Sequence, residues 1–298
     1  MLSTHRDLLD SETATPQSAP LKVDLCMWTF NGEHTLPQVL KRISQVIPSY
    51  AVNQRLAVDD GSTDDTVKIL EKQDWTVVPN EGKGIGDGAN TALKNVETAY
   101  FVSFEQDIVI SEDWWDKIPK LLNDRVVIAS GVRLPNEPVS LRKLEEYTTE
   151  RYRLETEHKT SFLYGKTLDN TIYKTEAIKA IGGFSTSKVN AGVDNILAKH
   201  IQDCGLEWKV DFNVKSTHLR RGLLDELRHC YWYGTCQKEL RLELGEAVDG
   251  FWPILLRTGF SPIRGLQVAC KKKCWQIAYV YPLLRITTFL GVSAGSLS

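Results

Sequence analysis

A chain of 298 residues, 42% hydrophobic and 25% charged, has an ordinary globular composition and is long enough to bury a sizeable core. Its formal net charge of −2 excludes a global field that would draw nucleic acid; the basic bias is local, in Lys271, Lys272 and Lys273 with Arg264 and Arg285. The six cysteines form no CxxC pair, and a zinc site at Cys270 and Cys274 would need further ligands, so free thiols in a reducing, cytoplasmic setting are expected.

In chain order, residues 1–20 are polar, carry Pro16 and Pro20 and lack a secretory signal pattern, so they read as a disordered lead-in. Residues 22–29 predict a strand and 35–46 a helix with Leu36, Val39, Leu40 and Ile43 on one face. A second strand, 54–58, runs into an acidic loop, and the helix after Asp64 opens with acidic residues that complement its dipole. A third strand covers 75–78. The glycine-rich segment 82–88 predicts a flexible loop before a helix at 89–97, and a fourth strand covers 99–104. A helix at 112–122 and a strand at 126–130 follow. Strands alternating with helices at this spacing predict a mostly parallel α/β sheet.

After Pro138 the pattern changes: a charged helix at 140–158, a strand and short helix ending at Gly182-Gly183, a helix at 193–203, and one or two strands at 208–217 ending at His218. From 223 onward the chain reads as helical, interrupted by Pro253, Pro262 and Pro282. Residues 275–295 are apolar and long enough to cross a bilayer, but Arg285 sits mid-segment at a cost of several kcal/mol. A helix docked on the domain, or one lying in a membrane interface beside the lysine cluster, fits better than a span.

Two acidic groups follow short apolar runs: Asp59-Asp60-Gly61-Ser62 after the second strand and Glu105-Gln106-Asp107 after the fourth. Carboxylates at strand ends of a parallel sheet line the crevice where ligands bind. Two such ends in one crevice repel unless a cation or a hydrogen-bonding ligand lies between them, which points to a metal and a nucleotide.

This order of motifs over about residues 22–220 resembles the family 2 glycosyltransferases with the GT-A fold. The pieces are Met27-Trp28-Thr29-Phe30-Asn31, Val58-Asp59-Asp60-Gly61-Ser62-Thr63-Asp64, glycine-rich 82–88 with Asn90, Glu105-Gln106-Asp107 in place of a DxD motif, Gly182-Gly183-Phe184, Asp194 and His218. The resemblance implies a Rossmann-like GT-A domain at 21–222, with a donor half at 21–130 and an acceptor half at 131–222, followed by a helical segment at 223–298. It implies transfer of a sugar from a nucleoside-diphosphate donor to a hydroxyl acceptor on a glycan or a lipid-linked or small molecule, with inversion, and with Mn²⁺ or Mg²⁺ as cofactor.

By the same resemblance, Asp60 accepts a hydrogen bond from the base, a role that suits the ring N–H of uracil or guanine. Asp59 and Asp64 read more readily as turn or cap aspartates. Trp28 and Phe30 pack on base or ribose, with core packing as the alternative for Trp28; Glu33 and Lys83 join the donor contacts, and Glu105 binds through water or touches the ribose. Asp107 and His218 would hold the metal, which takes one or two carboxylates plus substrate phosphates. Asp194 corresponds to the general base, although Val193 stands where the family has a glutamate; its helix-start position is expected to depress its pKa. Arg220 and Arg221 read as solvent-exposed, with phosphate or acceptor contact as the alternative. A peripheral membrane contact through the C-terminal helices, at the inner face of the cell membrane, is a further expectation. Two rivals stay open at this level: a sugar nucleotidyltransferase, which would carry a glycine-rich N-terminal signature, and a catalytically silent relative.

Overall fold

The structure, a computed structural model, describes residues 21–157, 165–186, 191–219, 222–248 and 250–295. The expected lead-in at 1–20 and the pair Arg220 and Arg221 lie outside the described residues. Among the described residues eight strands form one sheet: β1 (Val23–Thr29), β2 (Val52–Asp59), β3 (Thr76–Pro79), β4 (Tyr100–Glu105), β5 (Ile108–Val109), β6 (Val126–Pro135), β7 (Asn170–Lys174) and β8 (Glu207–His218). Their order is β3-β2-β1-β4-β7-β6-β8-β5, and only β7 and β5 run against the rest. The carboxyl ends of β1, β2, β4, β6 and β8 therefore share one edge, together with the start of β7.

Helices α1 (Leu36–Val46), α2 (Thr66–Glu71), α3 (Gly84–Lys94), α4 (Trp114–Lys117), α5 (Val139–Glu157), α6 (Thr175–Ala180) and α7 (Val193–Asp203) flank the sheet. β1 is buried on both faces and its side chains alternate between two cores. Val23, Leu25 and Met27 pack with Leu36, Val39, Leu40 and Ile43 of α1 and with Trp114. Cys26 and Trp28 face the opposite side, against Ala89, Ala92 and Leu93 of α3 and Leu197 and Ile201 of α7. Each fully buried aliphatic side chain here contributes about 1.5–3 kcal/mol.

Helices α8 (Leu223–Glu243), α9 (Phe251–Gly259), α10 (Ser261–Lys272) and α11 (Ile277–Gly295) make a C-terminal layer. It has its own small cores: Cys236, Leu240 and Leu244 of α8 meet Ala191 and Ile196, and Val268, Ala269, Cys274 and Ile277 meet Leu144 of α5. α11 lies against α8, α9 and α10 with one side and leaves the other in solvent, so the helix is docked without being covered.

Three expectations change, and the choice between one and two strands before His218 is settled. The glycine-rich segment is not a loop: α3 begins at Gly84, because Asp60 and Asp87 accept the Gly84 and Lys83 N–H groups at 3.1 and 2.9 Å. Gly86 is also needed for close approach, since a Cβ there would lie 2.1 Å from the Ser185 carbonyl oxygen. The single helix expected at 112–122 breaks at Pro119 into α4 and a 3₁₀ turn, Pro119–Leu121. Residues 207–218 form one strand, which absorbs a bulge between Val210 and Lys215. Pro253 and Pro262 sit in the first turns of α9 and α10, where no N–H partner is required, and Pro282 lies inside α11 without ending it.

Candidate active site

The loops after β1 and β2 are laced together by side chains. Asp59 accepts the Ser62 and Gly61 N–H groups at 2.8 and 3.1 Å and the Ser62 hydroxyl at 2.5 Å, which closes the turn after β2. Asp64 accepts the Glu33 N–H at 3.1 Å and the Thr66 N–H at 3.0 Å; desolvation is the largest single influence and raises its carboxyl, but these bonds and the Thr66 hydroxyl together outweigh it and hold the carboxyl below the usual range. Asn31, in the left-handed region at φ 49°, accepts the Thr63 N–H at 2.9 Å. Asp60 points elsewhere: it accepts from Asn80 Nδ2 at 2.8 Å and from Gly84 N–H at 3.1 Å.

Asp60, Trp28, Phe30 and Glu105 line one cavity of about 200 Å³, which Asn80 and Asp107 complete. Phe30 is half exposed at its rim, and the Trp28 ring packs edge-on to Phe184, centroids 6.4 Å apart. Among the described residues Trp28 Nε1 is the one buried side-chain donor without a hydrogen-bond partner, on a residue that lines this cavity. Two expected donor residues are placed outside it. Glu33 turns its carboxylate to the Asp65 N–H, at 3.1 Å, and braces the acidic loop. Lys83 lines a neighbouring depression shared with Asp59 and Asp60.

His218 and Asp107 are brought together by β5. This two-residue strand pairs Ile108 with His218, the Leu219 N–H donates to the Asp107 carbonyl at 2.9 Å, and His218 Nε2 lies 2.9 Å from Asp107 Oδ2. Glu105 stands beside them at the end of β4. Burial, and then the Asp169 charge, raise its carboxyl to about 8 against the pull of Arg133, with Asp107 and Asp194 adding to the rise. Among the described residues no three His, Cys, Asp or Glu side chains converge into a closed metal cage. One carboxylate and one imidazole do suit a dication whose remaining positions are filled by phosphate oxygens and water, and the crowding of carboxylates around Glu105 is what such a charge would relieve.

Asp194 reaches the same place from α7. Gly192 caps this helix at φ 82°, left-handed backbone that a side chain rarely adopts, and a Cβ there would lie 2.6 Å from Leu240 of α8. Val193, which by the resemblance stands in place of a glutamate, is buried in the same core as Trp28 of β1. Asp194 accepts the Asn195 N–H at 2.8 Å, yet its carboxyl is raised to about 6 because burial outweighs Arg133 and that N–H. The expected depression by the helix dipole is thus reversed: the carboxylate lies partly buried in the wall of a cavity, where its charged form is poorly hydrated.

That second cavity, of about 520 Å³, shares Glu105 and Asp107 with the first and extends to Asp194, His218, Lys166 and Arg133. Its far wall is α8, through His229, Trp232 and Tyr233. Asn195 Nδ2 donates to the Tyr233 hydroxyl at 3.1 Å and ties the start of α7 to that wall. Burial lowers the Lys166 ammonium to about 8.

Several site residues were missed by sequence reasoning. Gln106, the middle residue of the acidic triplet, makes two bonds of 2.9 Å with the Phe30 N–H and carbonyl and clamps the β1 loop to β4. Arg133, on β6, is ion-paired with Asp169, which is fully buried and also accepts from Thr167 at 2.9 Å. Burial opposes the Arg133 cation, but Asp169 and Glu105 hold it protonated above its usual range. A lone arginine in the apolar run Val126–Pro135 was the available signal. The α8 residues carried none.

The model of the family described as "Glycosyl transferase family 2" matches residues 24–182, just over half of the chain. Among curated protein sequences none matches. Among solved structures, a mannosyltransferase from Pyrobaculum calidifontis, in complex with GDP-mannose and Mn²⁺, is similar with a TM-score of 0.59 at 18% identity, over 94% of this chain and 76% of that one. Glucosyl-3-phosphoglycerate synthase from Mycobacterium tuberculosis, in complex with Mn²⁺ and UDP, gives a TM-score of 0.54 at 18% identity, over 77% of this chain and 82% of that one. Both are GT-A proteins, and the mixed sheet with its helical C-terminal layer has their fold. With the acidic strand ends converging on one cleft and the family model spanning them, the chain belongs to glycosyl transferase family 2 and is a glycosyltransferase.

Proposed function

We propose that the protein transfers a sugar with inversion from a UDP- or GDP-linked donor to a hydroxyl acceptor, using Mn²⁺ or Mg²⁺. The observation that carries this reading is the meeting of the Asp107–His218 pair, 2.9 Å apart, with Asp194 in the wall of one cavity. Trp28 and Phe30 flank the base or ribose, Asp60 accepts from the base, and Glu105 contacts the ribose or its water. Asp107 and His218 would hold the cation, which supplies Lewis-acid stabilisation of the departing diphosphate.

Asp194 takes the acceptor hydroxyl proton as that oxygen bonds to the anomeric carbon. The bond from that carbon to the diphosphate breaks on the opposite face, and its electron pair leaves with the diphosphate. A carboxyl raised to about 6 is ionised at neutral pH yet basic enough to accept this proton. The acceptor hydroxyl belongs to a glycan or lipid-linked molecule, and the enzyme works in the cytoplasm, against the inner face of the cell membrane through its C-terminal helices.

Calorimetric titration with UDP, GDP and their sugar conjugates, with Mn²⁺ and with EDTA, tests the donor side. Metal-dependent binding of one nucleotide supports the reading. No binding in either condition overturns it, and binding without turnover on any hydroxyl acceptor would favour a silent relative. NMR of the product anomer tests inversion.

A further inference from the structure

We infer that α9, α10 and α11 form a monotopic docking face that lies flat on an anionic lipid bilayer, with its helices parallel to the membrane plane. This deepens the membrane contact just proposed by assigning its residues, orientation and lipid charge, and it rests on that contact alone.

The face is built from exposed apolar side chains at helical spacing. On α11 and its lead-in, Trp275, Tyr279, Leu283, Ile286 and Leu290 recur every three or four residues, all exposed. On the two helices that pack against α11, Trp252 and Leu256 of α9, Phe260 at the junction, and Ile263 and Leu266 of α10 are exposed as well. The two tryptophans are 69% and 67% exposed, more than half of each side chain standing in water. Single exposed apolar residues need no explanation, whereas two neighbouring stripes on packed helices mark an interaction surface.

The charge of the segment decides what covers it. From Gly250 to Ser298 the chain holds Arg257, Arg264, Lys271, Lys272, Lys273 and Arg285 and no aspartate or glutamate. Arg264 and Lys271 lie 5.5 and 5.2 Å from the centre of the Tyr147 ring, at the seam between α10 and α5. A segment with six cations, no acidic residue and exposed tryptophans matches the headgroup and acyl boundary of an anionic leaflet.

The same packing excludes a span. α11 is long and apolar enough to cross a membrane, but residues 288–295 press against 231–235 of α8. α8 carries Asp225, Glu226, Arg228, Lys238, Glu239, Arg241 and Glu243, and these charges would enter the hydrocarbon with it. A helix docked on its inner side and apolar on its outer side lies in the interface.

Flotation of the full chain with phosphatidylcholine vesicles, with and without phosphatidylglycerol, tests the inference. Binding is expected only with phosphatidylglycerol, falling as salt rises. Trp252→Glu with Trp275→Glu should weaken it about tenfold or more, and Lys272→Ala with Lys273→Ala should weaken it about fivefold. All four positions lie outside the proposed catalytic site, so metal-dependent nucleotide binding by the variants should match that of the unchanged protein. Vesicle binding requires neither nucleotide nor metal, so it stands or falls separately from the donor reading. Absence of binding at low salt, binding that survives the tryptophan pair, or a concentration-dependent dimer abolished by that pair would overturn it; the last would make the face a contact between two copies.

Discussion

The two sides of the cleft are built differently. On the proposed donor side, the neighbouring strands β2, β1 and β4 present Asp60, Phe30 and Glu105 at adjacent ends, and side-chain bonds such as those of Asp59 and Asn31 shape the loops. On the proposed acceptor side, Arg133 of β6, Asp194 of α7 and Tyr233 of α8 line one cavity from three separate elements, and Asp169, just before β7, pairs with Arg133. Local hydrogen bonds hold the first side in place. Tertiary packing holds the second, so the two should fail in different ways.

The largest difference is expected from Asp107→Ala, which should remove metal-dependent donor binding and lower turnover about a thousandfold or more, read by calorimetry and by product formation. Asp169→Ala should instead act on the fold. It leaves the Arg133 cation without its buried partner at a cost of about 3 kcal/mol, measured as a lower urea midpoint with donor affinity changed far less. Equal losses of donor affinity in these two variants would erase the distinction between the sides.

Asp194→Asn sharpens it further: donor binding should hold while kcat falls about a hundredfold. In the proposed role Asp194 would act as base only when ionised, and burial sets its carboxyl near 6, so kcat/KM should fall as pH drops below about 6 and level off above it. A pH–rate profile flat across that region would remove Asp194 from the base role. The smallest effect is expected from Gln106→Ala, which cuts two bonds to the Phe30 backbone and should raise the donor KM about fivefold with kcat nearly unchanged.

The donor side was largely legible in the sequence because its signals are local. A buried strand followed by an acidic turn is contained in about ten residues, and the parallel sheet brings such turns to one edge. Asp107 and His218 were legible only as a pair of chemical types in the right order; their contact depends on β5, a two-residue strand too short to carry a pattern. Glu33 and Lys83 carried suitable charge in the right segments, and the loop geometry turned them away from the cavity. The sign of the Asp194 shift was misread for a related reason: a helix N-terminus is visible in sequence, while desolvation by α8 and β6 is not.

By itself, then, the sequence determined the α/β class, the family resemblance, the acidic strand ends and the apolar, cationic C-terminal segment, because each depends on periodicity or composition within a short window. Tertiary structure alone decided that Arg133 pairs with Asp169, that Asp194 is raised rather than depressed, and that α8 walls the larger cavity. These follow from burial and from charges brought together across many residues of chain, and neither quantity exists until the sheet and the C-terminal layer have packed.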